Sequence, residues 1–239
     1  MKKIGLLAVA IIMAFGTSTV KSQEVSVSAG ADLVSSYVWR GLNLGGASAQ
    51  PGISASWKGL TLGAWGSVNL SPASYEALKT DEFDIYLGYE VGNFSVLITD
   101  YAFPLFLKFP LDGYDYFDYK GSHTFEATLA YSFGESLPLS IAWNTNFAGF
   151  DDWNADGDND FSTYVELGYS LSVSDINIDL ALGATPWSGA YSDGFAVNNI
   201  SIKASKEIKI TDSFSLPAFT QLVVNPDAKT PYLIFGLSF

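Results

Sequence analysis

From Glu24 onward apolar side chains fall at every second position, the spacing of strands with two unlike faces rather than of helices. Ile176, Ile178, Leu180 and Leu182 alternate with Asn177, Asp179, Ala181 and Gly183. Phe125, Ala127, Leu129, Tyr131 and Phe133 alternate in the same way with Thr124, Glu126, Thr128, Ala130 and Ser132. One face of each strand is therefore apolar while the other is small or polar. The pattern predicts strands over 24–39, 50–58, 60–70, 82–91, 94–102, 122–133, 139–148, 161–173, 176–185, 196–207, 214–224 and 230–239.

The connections constrain how these strands associate. Lys58-Gly59, Gly92-Asn93 and Ser174-Asp175 are two-residue reversals suited to tight hairpins, and the other two connections of that set are also short. Between them run longer, irregular segments over 41–49, 71–81, 103–121, 149–160, 186–195 and 225–229. Short and long connections alternate strictly, as in membrane barrels whose periplasmic turns are tight and whose external loops are long. In hydrocarbon an unpaired backbone N–H or C=O costs several kcal/mol, so strands can span only as a sheet without edges. The chain is thus expected to be all-β: a closed antiparallel up-and-down transmembrane β-barrel of about twelve strands, with about ten or fourteen as alternatives. Both termini then fall on the periplasmic side.

Composition agrees with a membrane boundary. Hydrophobic residues make up 48% of the 239 and charged ones 15%, yet past the start no apolar run is long enough for a membrane helix. Aromatic residues gather near the predicted strand ends. Trp57, Tyr89, Phe94, Phe133, Tyr169 and Phe214 lie beside short turns, and Tyr37, Trp39, Phe83, Tyr101, Phe147, Phe161 and Trp187 beside long loops, as two interfacial girdles require. Lys2 and Lys3, followed by the apolar run from Ile4 to Phe15, read as a secretory signal over 1–22, leaving 23–239 as one barrel domain. The absence of cysteine excludes disulfides, thiolate metal sites and a cysteine nucleophile. The net charge is −13; without Lys2, Lys3 and Lys21 the 12 Lys and Arg become 9 against 25 Asp and Glu, or −16. Nucleic acid is excluded as a partner, because phosphate binding needs basic patches.

Alternation turns Asp32, Asp84, Glu90, Glu126, Glu166, Asp179 and Glu207 inward against Lys58, Lys203 and Arg40, with Trp65, Tyr86, Tyr164 and Phe219 as large lumen groups. The expected pore lining is Asp32, Lys58, Trp65, Asp84, Tyr86, Glu90, Glu126, Glu166, Asp179 and Lys203. Acid predominates, which gives an open pore a preference for cations. In a plugged barrel the same carboxylates pair with the few cations. Gly63, Gly88, Gly168, Gly183 and Gly236 leave space in the lumen. The third long loop, with Phe106, Phe109, Tyr114, Tyr116 and Phe117, either folds inward as a constriction or stands above the membrane as an extended hairpin.

At Asp152, Asn154, Asp156 and Asp158 oxygen-bearing side chains recur at alternate positions around Gly157, as at the start of a calcium loop. Thr163 stands where a bidentate Glu would complete the motif, so the alternative is a solvated acidic loop gathering divalent ions near lipopolysaccharide. No other cofactor is expected. The one histidine, His123, has only Ser122 and Thr124 beside it in sequence, which makes no catalytic constellation, and an enzyme is not expected.

The segment SSYVWRGLNLGGASAQPGISASWKGLTLGAWGS, from Ser35 to Ser67, resembles the opening of the Gcw_chp or TorF-type porins. Trp39-Arg40-Gly41 matches the family's aromatic-Arg-Gly step, Gln50 its Gln-rich approach to the next strand, and Gly63-Ala64-Trp65-Gly66-Ser67 its Gly-x-Trp-x-Ser segment. Tyr101-Ala102-Phe103-Pro104 and the strand carrying Glu126 also resemble family positions, while the 103–121 loop is longer than the connection expected there. The resemblance implies an outer-membrane barrel of porin type with no defined substrate. Phe239, on one face with Leu237, Phe235 and Leu233, resembles the C-terminal signal read by the barrel assembly machinery. Together these features lead us to expect a Gram-negative outer-membrane channel for passive passage of small solutes or ions, in contact with lipid and lipopolysaccharide. The alternative is a non-conducting structural or adhesive barrel.

Overall fold

The computed structural model describes residues 20–21, 25–70, 81–103, 116–212 and 214–239. The strands, in chain order, begin with β1 Val20–Lys21, β2 Ser26–Val34, β3 Tyr37–Trp39, β4 Leu42–Gly45, β5 Ser48–Trp57, β6 Leu60–Asn69, β7 Glu82–Val91 and β8 Phe94–Ala102. They continue with β9 His123–Ser132, β10 Leu139–Gly149, β11 Thr163–Val173, β12 Ile176–Thr185, β13 Ala196–Lys209, β14 Ser215–Asn225 and β15 Thr230–Ser238. Twelve of these, β2 and β5 to β15, form a closed antiparallel barrel in which each pairs with its sequence neighbour, and β2 joins β15 to β5. There is no helix among the described residues. Of the expected 1–22 leader, only Val20–Lys21 lies within the described residues, where it pairs with the start of β2.

The tight turns have the backbone that their residues require. Lys58 and Gly59 both adopt positive φ, 49° and 87°, the type I′ geometry whose twist matches the strands it joins. The wall is then sorted by alternation, and the usual globular arrangement is inverted. Large apolar residues face outward, with Ile53, Leu62 and Leu233 54%, 55% and 60% exposed. Most of the buried residues are polar: Ser67, Glu126, Thr163 and Asn198 have no exposed surface. Leu233, Phe235, Leu237 and Phe239 all belong to the outer face. A cylinder with an apolar exterior and a hydrogen-bonding interior is the arrangement hydrocarbon demands of strands.

Three of the glycines expected to leave space do so for a ring. Tyr86 of β7 lies over Gly63 of β6, Tyr164 of β11 over Gly183 of β12, and Phe219 of β14 over Gly236 of β15; a Cβ on any of these glycines would collide with the ring. Small and large residues thus interlock across neighbouring strands. The space is also uneven along the axis. Gln50, Asp84, Glu126, Asn144 and Asn199, toward the long loops, are buried, whereas Ser54, Ser56, Thr61, Gly88 and Ser132, toward the short turns, are partly exposed. The inward side chains are thus buried toward the long loops and partly open toward the short turns.

One expected strand is wrong in extent. The first was expected to run to residue 39, but it leaves the wall after Val34, and Tyr37 to Gly45 form a separate two-stranded hairpin. As a result Tyr37 and Trp39, and with them Tyr101, are lumen residues and not members of the long-loop girdle; Tyr37 and Tyr101 are buried. The remaining girdle residues named above point outward where they are exposed, among them Trp57, Tyr89, Phe94, Phe147 and Trp187.

Gly183→Val will displace the Tyr164 ring and lower stability by about 1–3 kcal/mol, the usual result of overpacking. Gly194→Ala, at a site with open space around it, will change stability by less than about 0.5 kcal/mol. Thermal unfolding of the two variants in detergent measures the contrast.

Candidate functional site

The element that closes the lumen is the β3–β4 hairpin. Its turn is Arg40-Gly41, with φ of 50° and 81°, the same type I′ backbone as Lys58-Gly59. The chain is released from the wall at Ser35 and Ser36, whose hydroxyls replace lost strand partners. Phe235 N–H donates to Ser35 Oγ at 2.9 Å, and Ser36 Oγ donates to the Gly45 carbonyl at 3.0 Å. From there the hairpin crosses the barrel. Tyr37 donates to Glu82 of β7 at 2.7 Å and sets its ring edge-on to Trp65 of β6 at 5.6 Å. Trp39 meets Tyr101 of β8 at 5.5 Å. At the tip, Asn225 Nδ2 of β14 donates to the Gly41 carbonyl at 3.1 Å, and any side chain on Gly41 would strike the backbone of Asn198 in β13.

Arg40 fixes the tip electrostatically. Its two terminal nitrogens donate to the two carboxylate oxygens of Glu126 in β9, at 2.5 and 2.9 Å, and Nη1 also donates to Tyr191 at 2.5 Å. Tyr101 donates to Glu126 at 3.0 Å. The guanidinium carbon lies 4.2 Å from the Trp39 ring centre and 4.8 Å from that of Tyr164. Arg40 is 9% exposed and Glu126 is fully buried, so the pair is a forked, charge-assisted contact out of water, with Tyr191 and Tyr101 as further partners. Rings on the guanidinium faces add cation–π attraction.

The other expected lumen residues distribute along the wall. Asp32 is buried opposite Gln50 of β5 and Ser238 of β15. Asp84 is buried, Glu166 accepts from Tyr164 at 2.5 Å and from Asn199 at 3.3 Å, and Asp179 accepts from Ser170 at 2.6 Å. Lys203 stands opposite Asp179 in register, with its ammonium 4.0 Å from the centre of the Phe219 ring. Tyr86 lies over Gly63. Glu90 is exposed at the short-turn rim. Lys58 is not in the wall: it occupies the reversal itself, its ammonium 4.9 Å from the ring centre of the outward Trp57. Residues that pattern alone did not single out are Glu82, Asn198, Asn225 and Tyr191, which meet the hairpin. Of the third loop, residues 104–115 lie outside the described residues, and Tyr116 packs edge-on against His123 at 4.9 Å.

The acidic loop turns its oxygens onto itself. Asp152 accepts from the amides of Asp156 and Gly157 at 3.0 and 3.1 Å, and Asp156 from that of Asp158 at 3.0 Å. Asn154 donates to Asp160, and its oxygen accepts from Ser188 at 2.8 Å. These side chains close local turns and do not converge on a common point. Among the described residues no three His, Cys, Asp or Glu side chains are grouped to hold a metal ion.

A family model described as "Bacterial protein of unknown function (Gcw_chp)" matches residues 18–213. No curated protein matches the chain. Among solved structures, a triple mutant of Rhodopseudomonas blastica porin is 13% identical, with a TM-score of 0.41 over 92% of this chain and 75% of that one. A second variant of the same porin is 11% identical, with the same TM-score and coverage.

Removing one partner of the buried pair will leave the other uncompensated. Arg40→Ala is expected to cost about 3–5 kcal/mol, and Arg40→Met combined with Glu126→Leu to recover most of that loss. Unfolding of the single and double variants in detergent gives the comparison.

Proposed function

Because the chain belongs to the Gcw_chp family, whose description assigns no activity, we propose from the barrel itself that it is an outer-membrane channel for small solutes, constricted by the β3–β4 hairpin. The observation that carries this is the division of the wall into an apolar exterior and a polar lumen into which a hairpin is folded. Side chains alone fill barrels of about eight strands, while sixteen or more leave a water channel. With twelve strands the closing element here is the β3–β4 hairpin, a segment of main chain that forms its own two-stranded sheet outside the wall and is held in the lumen by Tyr37, Arg40 and Gly41. Such an element can be displaced without dismantling the wall.

The apolar belt, the expected leader and the short connections at one end support a Gram-negative outer-membrane location with both termini periplasmic. Lipid and lipopolysaccharide would meet the belt, and the barrel assembly machinery would read its last strand. Buried Asp32, Asp84, Glu126 and Glu166 against few lumen cations favour cation passage. A second role, a permanently closed structural barrel, is favoured by one feature, the complete burial of Glu126 beneath Arg40.

Single-channel recording in planar bilayers separates the two. Replacing residues 37–45 by a short Gly-Ser link is expected to raise conductance several-fold over the wild type and to give cation-selective reversal potentials in a salt gradient. A folded variant, shown by heat-modifiable gel migration, that conducts no better than wild type would favour the closed barrel. Anion selectivity would remove the cation preference.

A further inference from the structure

Beneath the base of the hairpin, β7 carries two carboxylates on one inward face, Glu82 and Asp84. Both are buried, at 3% and 5% exposure, and they stand two residues apart on that face. Tyr37 donates to Glu82 at 2.7 Å. Ser67, fully buried, faces Glu82 across the β6–β7 pairing, and Gln50 approaches Ser67 at 3.5 Å. Two buried oxygens here have no hydrogen-bond partner: Asp84 Oδ1, and Thr99 Oγ1 on β8, the strand paired with β7.

Among the described residues no lumen cation answers this pair. Arg40 is engaged by Glu126, and Lys203 stands opposite Asp179 on the far wall; among the described residues neither Glu82 nor Asp84 forms an ion pair. Two carboxylates side by side and out of water repel each other, and the repulsion is relieved by a shared proton or by a bound cation. We propose that Glu82 and Asp84, with the hydroxyls of Tyr37 and of Thr99, the diagonal neighbour of Asp84 on β8, bind one hard divalent cation of the calcium type. The donors are all oxygen, which selects hard cations, and two carboxylates match a charge of +2. Ligands spaced along neighbouring strands give an irregular shell, which Ca²⁺ accepts and Mg²⁺, needing a near-octahedron, does not. A cation there draws in the carboxylate that holds Tyr37, and so ties the hairpin to β7. This site does not depend on conduction, so a barrel that never opens can still bind the ion.

The test uses the full chain refolded in detergent and freed of metal with a chelator. Tb³⁺ is titrated in, its emission sensitised by Tyr37 and Trp65, whose rings are 5.6 Å apart, and Ca²⁺ is then added as competitor. One-site emission reversed by Ca²⁺ is expected. Affinity should fall by about tenfold or more in Glu82→Gln and in Asp84→Asn, and stay unchanged when Asp152 and Asp156 are both replaced by Asn. Absence of sensitised emission from the wild type overturns the proposal. So does emission that survives both lumen substitutions but is lost with the loop ones. An infrared band of a protonated carboxylic acid that is present in the wild type, persists in excess Ca²⁺ and is lost in Glu82→Gln or Asp84→Asn would show the pair neutralised by a proton and would also overturn it.

Discussion

The constraint on which the rest depends is closure of the sheet. β15 returns to β2 through Gly236 opposite Val34, Leu237 opposite Leu33 and Ser238 opposite Asp32. Reciprocal amide contacts between Ala31 and Phe239, at 3.1 and 2.9 Å, extend the seam. It is shorter than the nine-residue pairing of β2 with β5, but it removes the two open edges that a twelve-strand sheet would expose. Once every wall strand has two neighbours, the backbone asks nothing of the solvent outside it. The alternating side chains are then free to be apolar outward and polar inward, the reverse of a water-soluble domain.

Closure at this width creates a second requirement, which is to fill or use the lumen. The wall meets it partly through rings laid on glycines, a mutual fit that leaves neither a void nor an exposed stretch of thin backbone. The larger share falls to the β3–β4 hairpin. A hairpin brought into a lumen must satisfy its own polar groups there, since water no longer does. Arg40 answers with a forked contact to Glu126, Gly41 with a carbonyl bonded to Asn225, and Tyr37 with a hydroxyl on Glu82. The polarity of the lumen and the inward hairpin are therefore one feature: each provides partners for the other.

Much of the wall is readable from residue pattern because period two and tight turns are local signals. β7, β8 and β12 begin and end where alternation and the Gly92-Asn93 and Ser174-Asp175 reversals put them. The hairpin was missed for a local reason too. Tyr37-Val38-Trp39 continues the alternation of β2, so the strand seems to run on; the contrary signal is Arg40-Gly41, a reversal of the same form as Lys58-Gly59. Inward carboxylates such as Asp84 and Glu126 follow from face assignment, but their partners do not, since Arg40 and Glu126 are 86 residues apart. The spacing of Asp152, Asn154, Asp156 and Asp158 fits a cation loop on paper. Spacing says nothing of direction: Asp152 and Asp156 turn to amides of their own loop, and Asn154 to Asp160 and Ser188.

The claim beneath all of this is that every other side chain of the wall faces hydrocarbon. The chain lacks cysteine, so single cysteines along 176–185 can each carry a nitroxide with no background label. In liposomes, collision with apolar oxygen should peak at positions 178, 180 and 182, and collision with a water-soluble nickel chelate at 177, 179 and 181. A profile without period two, or with the two quenchers exchanged, would contradict the apolar belt and with it the membrane-spanning barrel.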